Sequence, residues 1–248
     1  MTSPLRTLAG TAIAAILAIP LLATPAAGSP PPAERANYKV PKIGECHLLT
    51  LEQAWDSSDS RKPVPCSSKH TTMTFAVKRL TGTVNWDDTF GLYRKLQTKC
   101  WNSFENRLGS SALVRAQTAY TWFWFRPSKA QIQRGAKWLR CDLALSGGTK
   151  LMPIKADVSL SSTKISDRVR HCVSPRGLMT VCARPHAYRS VDAFRISGGY
   201  PSEKRRRALA AKKCPPLVDG KAYLSFVPHP DQWATGNHSL VCFKKTAR

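Results

Sequence analysis

The sequence predicts an α+β protein made of two tandem, disulfide-stapled small domains, each a mainly antiparallel sheet with one longer helix and one short helical turn. Three observations predict it. The first is an internal repeat: Cys66-Ser-Ser-Lys-His70 and Cys182-Ala-Arg-Pro-His186 both spell Cys-x-x-x-His, and Gly82 and Gly198 follow in the same register. The register returns later, with Pro127, Gln131, Gly135 and Cys141 spaced as Pro228, Gln232, Gly236 and Cys242. The second is the cysteine count: Cys46, Cys66, Cys100 and Cys141 fall in one unit, and Cys172, Cys182, Cys214 and Cys242 in the other. The third is patterning, in which short alternating runs surround one run with helical spacing.

Taken in order, residues 1–27 read as a signal peptide: Arg6 supplies the charge, Leu8 to Leu22 the apolar run, and Ala23 to Gly28 the small residues of a cleavage region. No Cys stands there to carry a lipid, and an uncleaved anchor is the alternative to a cleaved signal. Residues 28–39, opening on Ser29-Pro30-Pro31-Pro32, read as a stiff, extended linker. The first domain spans 40–148. Val40 to Cys46 is a short strand with a turn, and Ser57 to Pro65 a polar loop. From Thr71 to Leu80, Met73, Phe75 and Val77 alternate as on a half-buried strand. Thr89 to Cys100 is a helix with Phe90, Leu92 and Leu96 on one face. An aromatic strand, Tyr120 to Phe125, leads to a single helical turn begun near Pro127 and ended at Gly135, then a closing strand from Lys137 to Leu145.

The second domain spans 149–248. Leu151 to Leu160 is expected to give it a linking strand. Its helix, Ser202 to Cys214, is capped by Ser202, has Glu203 in the first turn and closes on Lys212-Lys213, where the helix dipole favours cations. Tyr223 to Val227, a turn between Pro228 and Gly236, and Ser239 to Lys244 complete the copy.

Gly44-x-Cys46, Cys66-x-x-x-His70, a helix ending in Cys100, and Pro127-x(7)-Gly135-x(5)-Cys141, with their copies in the second unit, resemble the septum-formation domain family of actinobacterial envelope proteins. The resemblance covers about Ile43 to Lys245 and implies two tandem copies. It implies a secreted or membrane-tethered protein associated with septum formation and no defined catalytic activity. Family members commonly carry an acidic residue soon after the His; Met73 and Arg189 stand there in this chain.

Four cysteines allow three connectivities per unit. The expected pairs are Cys46–Cys66, Cys100–Cys141, Cys172–Cys182 and Cys214–Cys242. Zinc is disfavoured because its ligands usually come as close Cys-x(2–4)-Cys pairs, which are absent from the sequence. No metal and no cofactor is expected. His70 and His186, the matched histidines, read as structural hydrogen-bonding groups after a disulfide-bonded turn; proton carriers or metal ligands are the alternative. Trp122, Trp124, Trp138 and Trp233 read as core, with stacking on sugars the alternative. There is no Gly-x-Ser-x-Gly elbow and no His-Glu-x-x-His, and none of the 15 carboxylates is matched in the key repeat blocks. His171-Cys172 imitates a thiol centre but aligns with the structural Cys46. The expectation is a non-catalytic secreted envelope protein, with a secreted hydrolase or transpeptidase as the alternative.

The net charge of +23 favours polyanionic partners. Export disfavours nucleic acid and leaves a cell-wall anionic polymer or an envelope protein, with membrane contact through charge also open. The candidate anion-binding residues are Lys204, Arg205, Arg206, Arg207, Lys212 and Lys213 on the second helix. A solvated helix face is the plainer reading of the same run.

Overall fold

The structure is a computed structural model that describes residues 31–160 and 164–246. The expected signal peptide, residues 1–27, lies outside the described residues, as do the first residues of the expected linker. The rest of that linker is not extended: Pro32–Ala36 forms a short helix, α1. Pro is tolerated at a first helical position because its missing N–H has no helical acceptor to lose. The segment then docks, with Arg79 Nε donating to Asn37 Oδ1 at 2.6 Å and Trp138 Nε1 to the Tyr38 carbonyl at 3.1 Å.

The first sheet begins with β1 (Cys46–His47), followed by a helical turn, α2 (Leu51–Ala54), opened by a Thr50–Gln53 capping box. β2 (Thr72–Arg79) leads to α3 (Thr89–Leu108), which runs eight residues beyond the expected Cys100. The reason is a stripe four residues apart, Leu92, Leu96, Cys100, Phe104 and Leu108, that stays buried until Gly109 ends the helix at φ 65°. An unforeseen short helix follows, α4 (Ala112–Ala116), started by Ser111. Then come β3 (Tyr120–Phe125), α5 (Lys129–Gln133), β4 (Trp138–Ser146) and β5 (Leu151–Met152). The strand expected over 151–160 stops after two residues, before Pro153, and pairs with β4 of the first sheet.

The second sheet is built from β6 (His171–Val173), β7 (Met179–Val181) and β8 (Tyr188–Arg195), followed by α6 (Glu203–Lys213), β9 (Tyr223–Phe226), α7 (Pro230–Ala234) and β10 (Ser239–Lys245). α6 stops at Cys214-Pro215-Pro216, where no N–H remains to continue it. All pairings between these strands are antiparallel. The four main strands run β1-β2-β4-β3 in one sheet and β6-β8-β10-β9 in the other, the same order in both halves.

The main core packs the α3 stripe on Met73, Phe75, Leu139 and Leu143 of β2 and β4. Val181 of β7, fully buried, belongs to this same core, and Leu113 and Ala116 of α4 pack on Ala193, Val241 and Phe243 of the second sheet. Backbone bonds cross as well: Ala119 N–H donates to Val169 at 2.8 Å and His171 N–H to Gln117 at 2.7 Å. Residues from Pro31 onward therefore make one compact body in which the two sheets share side chains.

Candidate functional site

The structure pairs Cys46 with Cys66, Cys100 with Cys141, Cys172 with Cys182, and Cys214 with Cys242. In each half the first bond fixes the opening strand to the turn before the next long strand. The second fixes the helix to the closing strand. His70 and His186 sit in matching turns, 2% and 4% exposed, each with Nδ1 2.8 Å from the carbonyl two residues earlier, Ser68 or Arg184. A carbonyl only accepts, so Nδ1 is the donor in each contact. Donor atoms of Cys172, Cys182 and His186 lie within 4.8 Å of one another. Both sulfurs are spent in a disulfide and offer no thiolate, so this trio cannot coordinate as a Cys-Cys-His set.

A polar cluster is buried beneath the first sheet. On β4, Arg140 and Asp142 project together; Arg140 Nη2 lies 2.6 Å from Asp59 Oδ2 and 3.1 Å from Asp142 Oδ2. Thr74 donates to Asp142 at 2.8 Å, and Arg61 meets the other oxygen of Asp59 at 3.0 Å. Burial alone would raise the Asp59 carboxyl, but hydrogen bonds from Arg140 and the Arg61 backbone N–H outweigh it and hold it below the ordinary carboxylate range. His47, 1% exposed, stands with Nδ1 3.6 Å from Asp59, beyond hydrogen-bond reach, and neither ring nitrogen has a partner among the described residues. Burial and the Arg140 charge keep this ring neutral. Beside it opens a cavity of about 270 Å³ rimmed by Lys39, Arg61 and Lys62.

The cluster was not visible in the repeat because it has no copy. Val241 and Phe243 flank Cys242 where Arg140 and Asp142 flank Cys141. Asp59 comes from the segment between Cys46 and Cys66, twenty residues apart where Cys172 and Cys182 are ten apart. The unequal spacing was the one signal in the sequence that could have pointed to it.

The six basic candidates lie on α6 as expected, all exposed except Arg206, which is half-buried. Four have local partners. Arg205 donates to the Ser197 carbonyl at 2.8 Å, Arg207 pairs with Glu203, Arg206 lies 5.8 Å over the Tyr200 ring, and Lys213 lies 5.2 Å over Phe194. Lys204 and Lys212 have no partner among the described residues. Of the tryptophans, Trp138 and Trp233 are buried, while Trp122 and Trp124 are half-buried, with Tyr93 stacked on Trp122 at 6.2 Å. Trp55, not singled out from the sequence, is 74% exposed and meets Phe123 edge-on.

No curated protein and no solved structure matches the chain. A family model described as septum formation matches residues 96–242 in a single span that starts within α3, crosses both sheets and ends at Cys242. Covering more than half the chain, and agreeing with its disulfide-bonded α+β architecture, that match places the protein in the septum formation family.

Proposed function

We propose that the protein is a non-catalytic extracytoplasmic component of the division machinery that binds an anionic cell-wall polymer. The observation that carries this is α6: its eleven residues hold six cations, five exposed and Arg206 half-buried, with Glu203 the one acid among them. Lys204 and Lys212, which have no partner among the described residues, and the exposed cations beside them suit a repeating phosphate or carboxylate chain. Four disulfides fit an oxidising compartment. They also occupy all eight thiols, which removes the nucleophile a cysteine transpeptidase would need. The matched sheets support a second reading of the same chain, two fused copies of one ancestral unit, of which only the second carries the basic helix.

Co-sedimentation with purified sacculi, with and without their anionic polymers, tests the proposal. Binding is expected to need the polymer and to fade as salt rises, because exposed charges are screened beyond about 8–10 Å at 0.1–0.15 M salt. Lys204→Glu with Lys212→Glu, which breaks no internal contact, is expected to lower retention without changing the melting temperature. Binding that ignores salt, or that survives removal of the polymer, points instead to glycan or to an envelope protein and overturns the charge-based reading.

A further inference from the structure

A cleft of about 460 Å³ opens between the two sheets, with walls from both halves: Trp101, Phe104 and Trp122 on one side of the sequence, His171, Phe226 and Phe243 on the other. Its most telling property is electrostatic. In a chain with 21% charged residues and a net charge of +23, none of the twenty residues lining this cleft is Asp, Glu, Lys or Arg. Its two titratable rings are both neutral at pH 7: burial against Phe243 and Phe226 pushes His171 down to about 4, and burial pushes Tyr120 up to about 12. A cation or anion entering such a space would lose its hydration and find no countercharge, at a cost of several kcal/mol. An uncharged guest meets no such penalty and gains from every apolar contact.

The cleft also borders the outer strand of each sheet, β3 and β9. Both edges are blunted against strand addition. β9 is four residues long and is followed by Pro228, and the far end of β3 is closed by the Ser58–Arg126 bridge. Side chains, not backbone, are what the cleft offers. Its volume lies within the roughly 300–1,000 Å³ of small-ligand sites.

We propose that this cleft binds an uncharged lipid-like hydrocarbon chain, enclosed by its aromatic and aliphatic walls. The site shares no residue with α6 and stands or falls independently of polymer binding.

The test is displacement of Nile red, an uncharged solvatochromic dye, from the intact protein at 0.15 M salt. Dye emission is expected to shift to the blue and to be reversed by 1-dodecanol at lower concentration than by dodecylamine or dodecanoate. Ser225→Arg places a charge at an exposed, unpartnered cleft position and is expected to weaken dodecanol about tenfold while leaving the melting temperature unchanged. Neutral phosphatidylcholine vesicles form a second arm: displacement by vesicles assigns the guest to a membrane lipid, and displacement by soluble dodecanol alone assigns it to a free chain. Equal competition by all three charged and uncharged chains overturns the proposal. So does dye binding unaffected by Ser225→Arg in a folded protein, or no dye shift at all.

Discussion

Asp59 shows how one side chain can hold a buried network that no repeat would reveal. It is fully enclosed and shared between Arg140 and Arg61. Asp59→Ala leaves the Arg140 guanidinium, 3% exposed, with Asp142 alone. Removing one partner of a buried ion pair costs about 3–5 kcal/mol, and urea denaturation at pH 7 is expected to show a loss of that order. The sign of the pH dependence follows from the depressed carboxyl: its contribution is complete above the unfolded-state value and is lost as pH falls through the folded one. His171 acts over a different range. Its folded value, about 4, lies below the ordinary 6.5, so between those values the unfolded chain takes up a proton that the native ring refuses. Stability is therefore expected to fall by about 3 kcal/mol as pH drops from 6.5 to 4 and then to level off for this group. His171→Phe should shrink that limb, to which the lowered His47 also contributes, while Asp59→Ala leaves the His171 part in place, a contrast that denaturation at pH 7 and pH 4.5 reads directly. The matched histidines and cysteines could be found by register; Asp59 could not, because it lies where the two copies differ in length.

α3 couples a cap to a glycine. Asp88 accepts from the Gly91 N–H at 2.8 Å, and a Cβ on Gly91 would stand 2.0 Å from Asp88 Oδ2. Helix propensity alone says that Gly91→Ala gains about 1 kcal/mol, yet it would drive the capping carboxylate away at a cost of about the same size. The single change is expected to be near neutral in thermal unfolding, Asp88→Ala to lose about 1 kcal/mol, and the double change to be more stable than Asp88→Ala alone. That non-additivity is the signature of the contact. The same helix shows what the sequence could and could not reveal. Its start was readable, but its end was set at Cys100 because the repeat register stopped there, although Phe104 and Leu108 continue the spacing to Gly109. The bond from Cys100 to Cys141 then anchors the middle of the helix, not its end. Replacing both cysteines with Ala is expected to cost about 2–5 kcal/mol in denaturation under non-reducing conditions.

The boundary at residue 148 follows from aligning like with like, and it marks where the pattern restarts rather than where the packing divides. Gly148 N–H donates to the Met179 carbonyl at 3.0 Å and Ser146 Oγ to the same oxygen at 2.7 Å, so the junction is stitched into the second sheet. Beyond it, Ile154, Val158, Leu160 and Val181 all sit in the core built on α3. Periodicity reports which residues are apolar; it does not say whose core they enter, and that assignment was the part the sequence withheld. A fragment of residues 31–148 would lose those four side chains and β5, and would bare the α4 residues Leu113 and Ala116 that pack on the second sheet. Burying an aliphatic side chain is worth about 1.5–3 kcal/mol, so the deficit rivals the 5–15 kcal/mol that a whole domain possesses. The fragment is therefore expected to lack a cooperative thermal transition by circular dichroism, and to regain one when mixed with residues 149–248 under oxidising conditions. A fragment that melts alone, at the midpoint of the full chain, would make the two halves independent domains. It would also turn the cleft between them from a fixed site into a gap between neighbours.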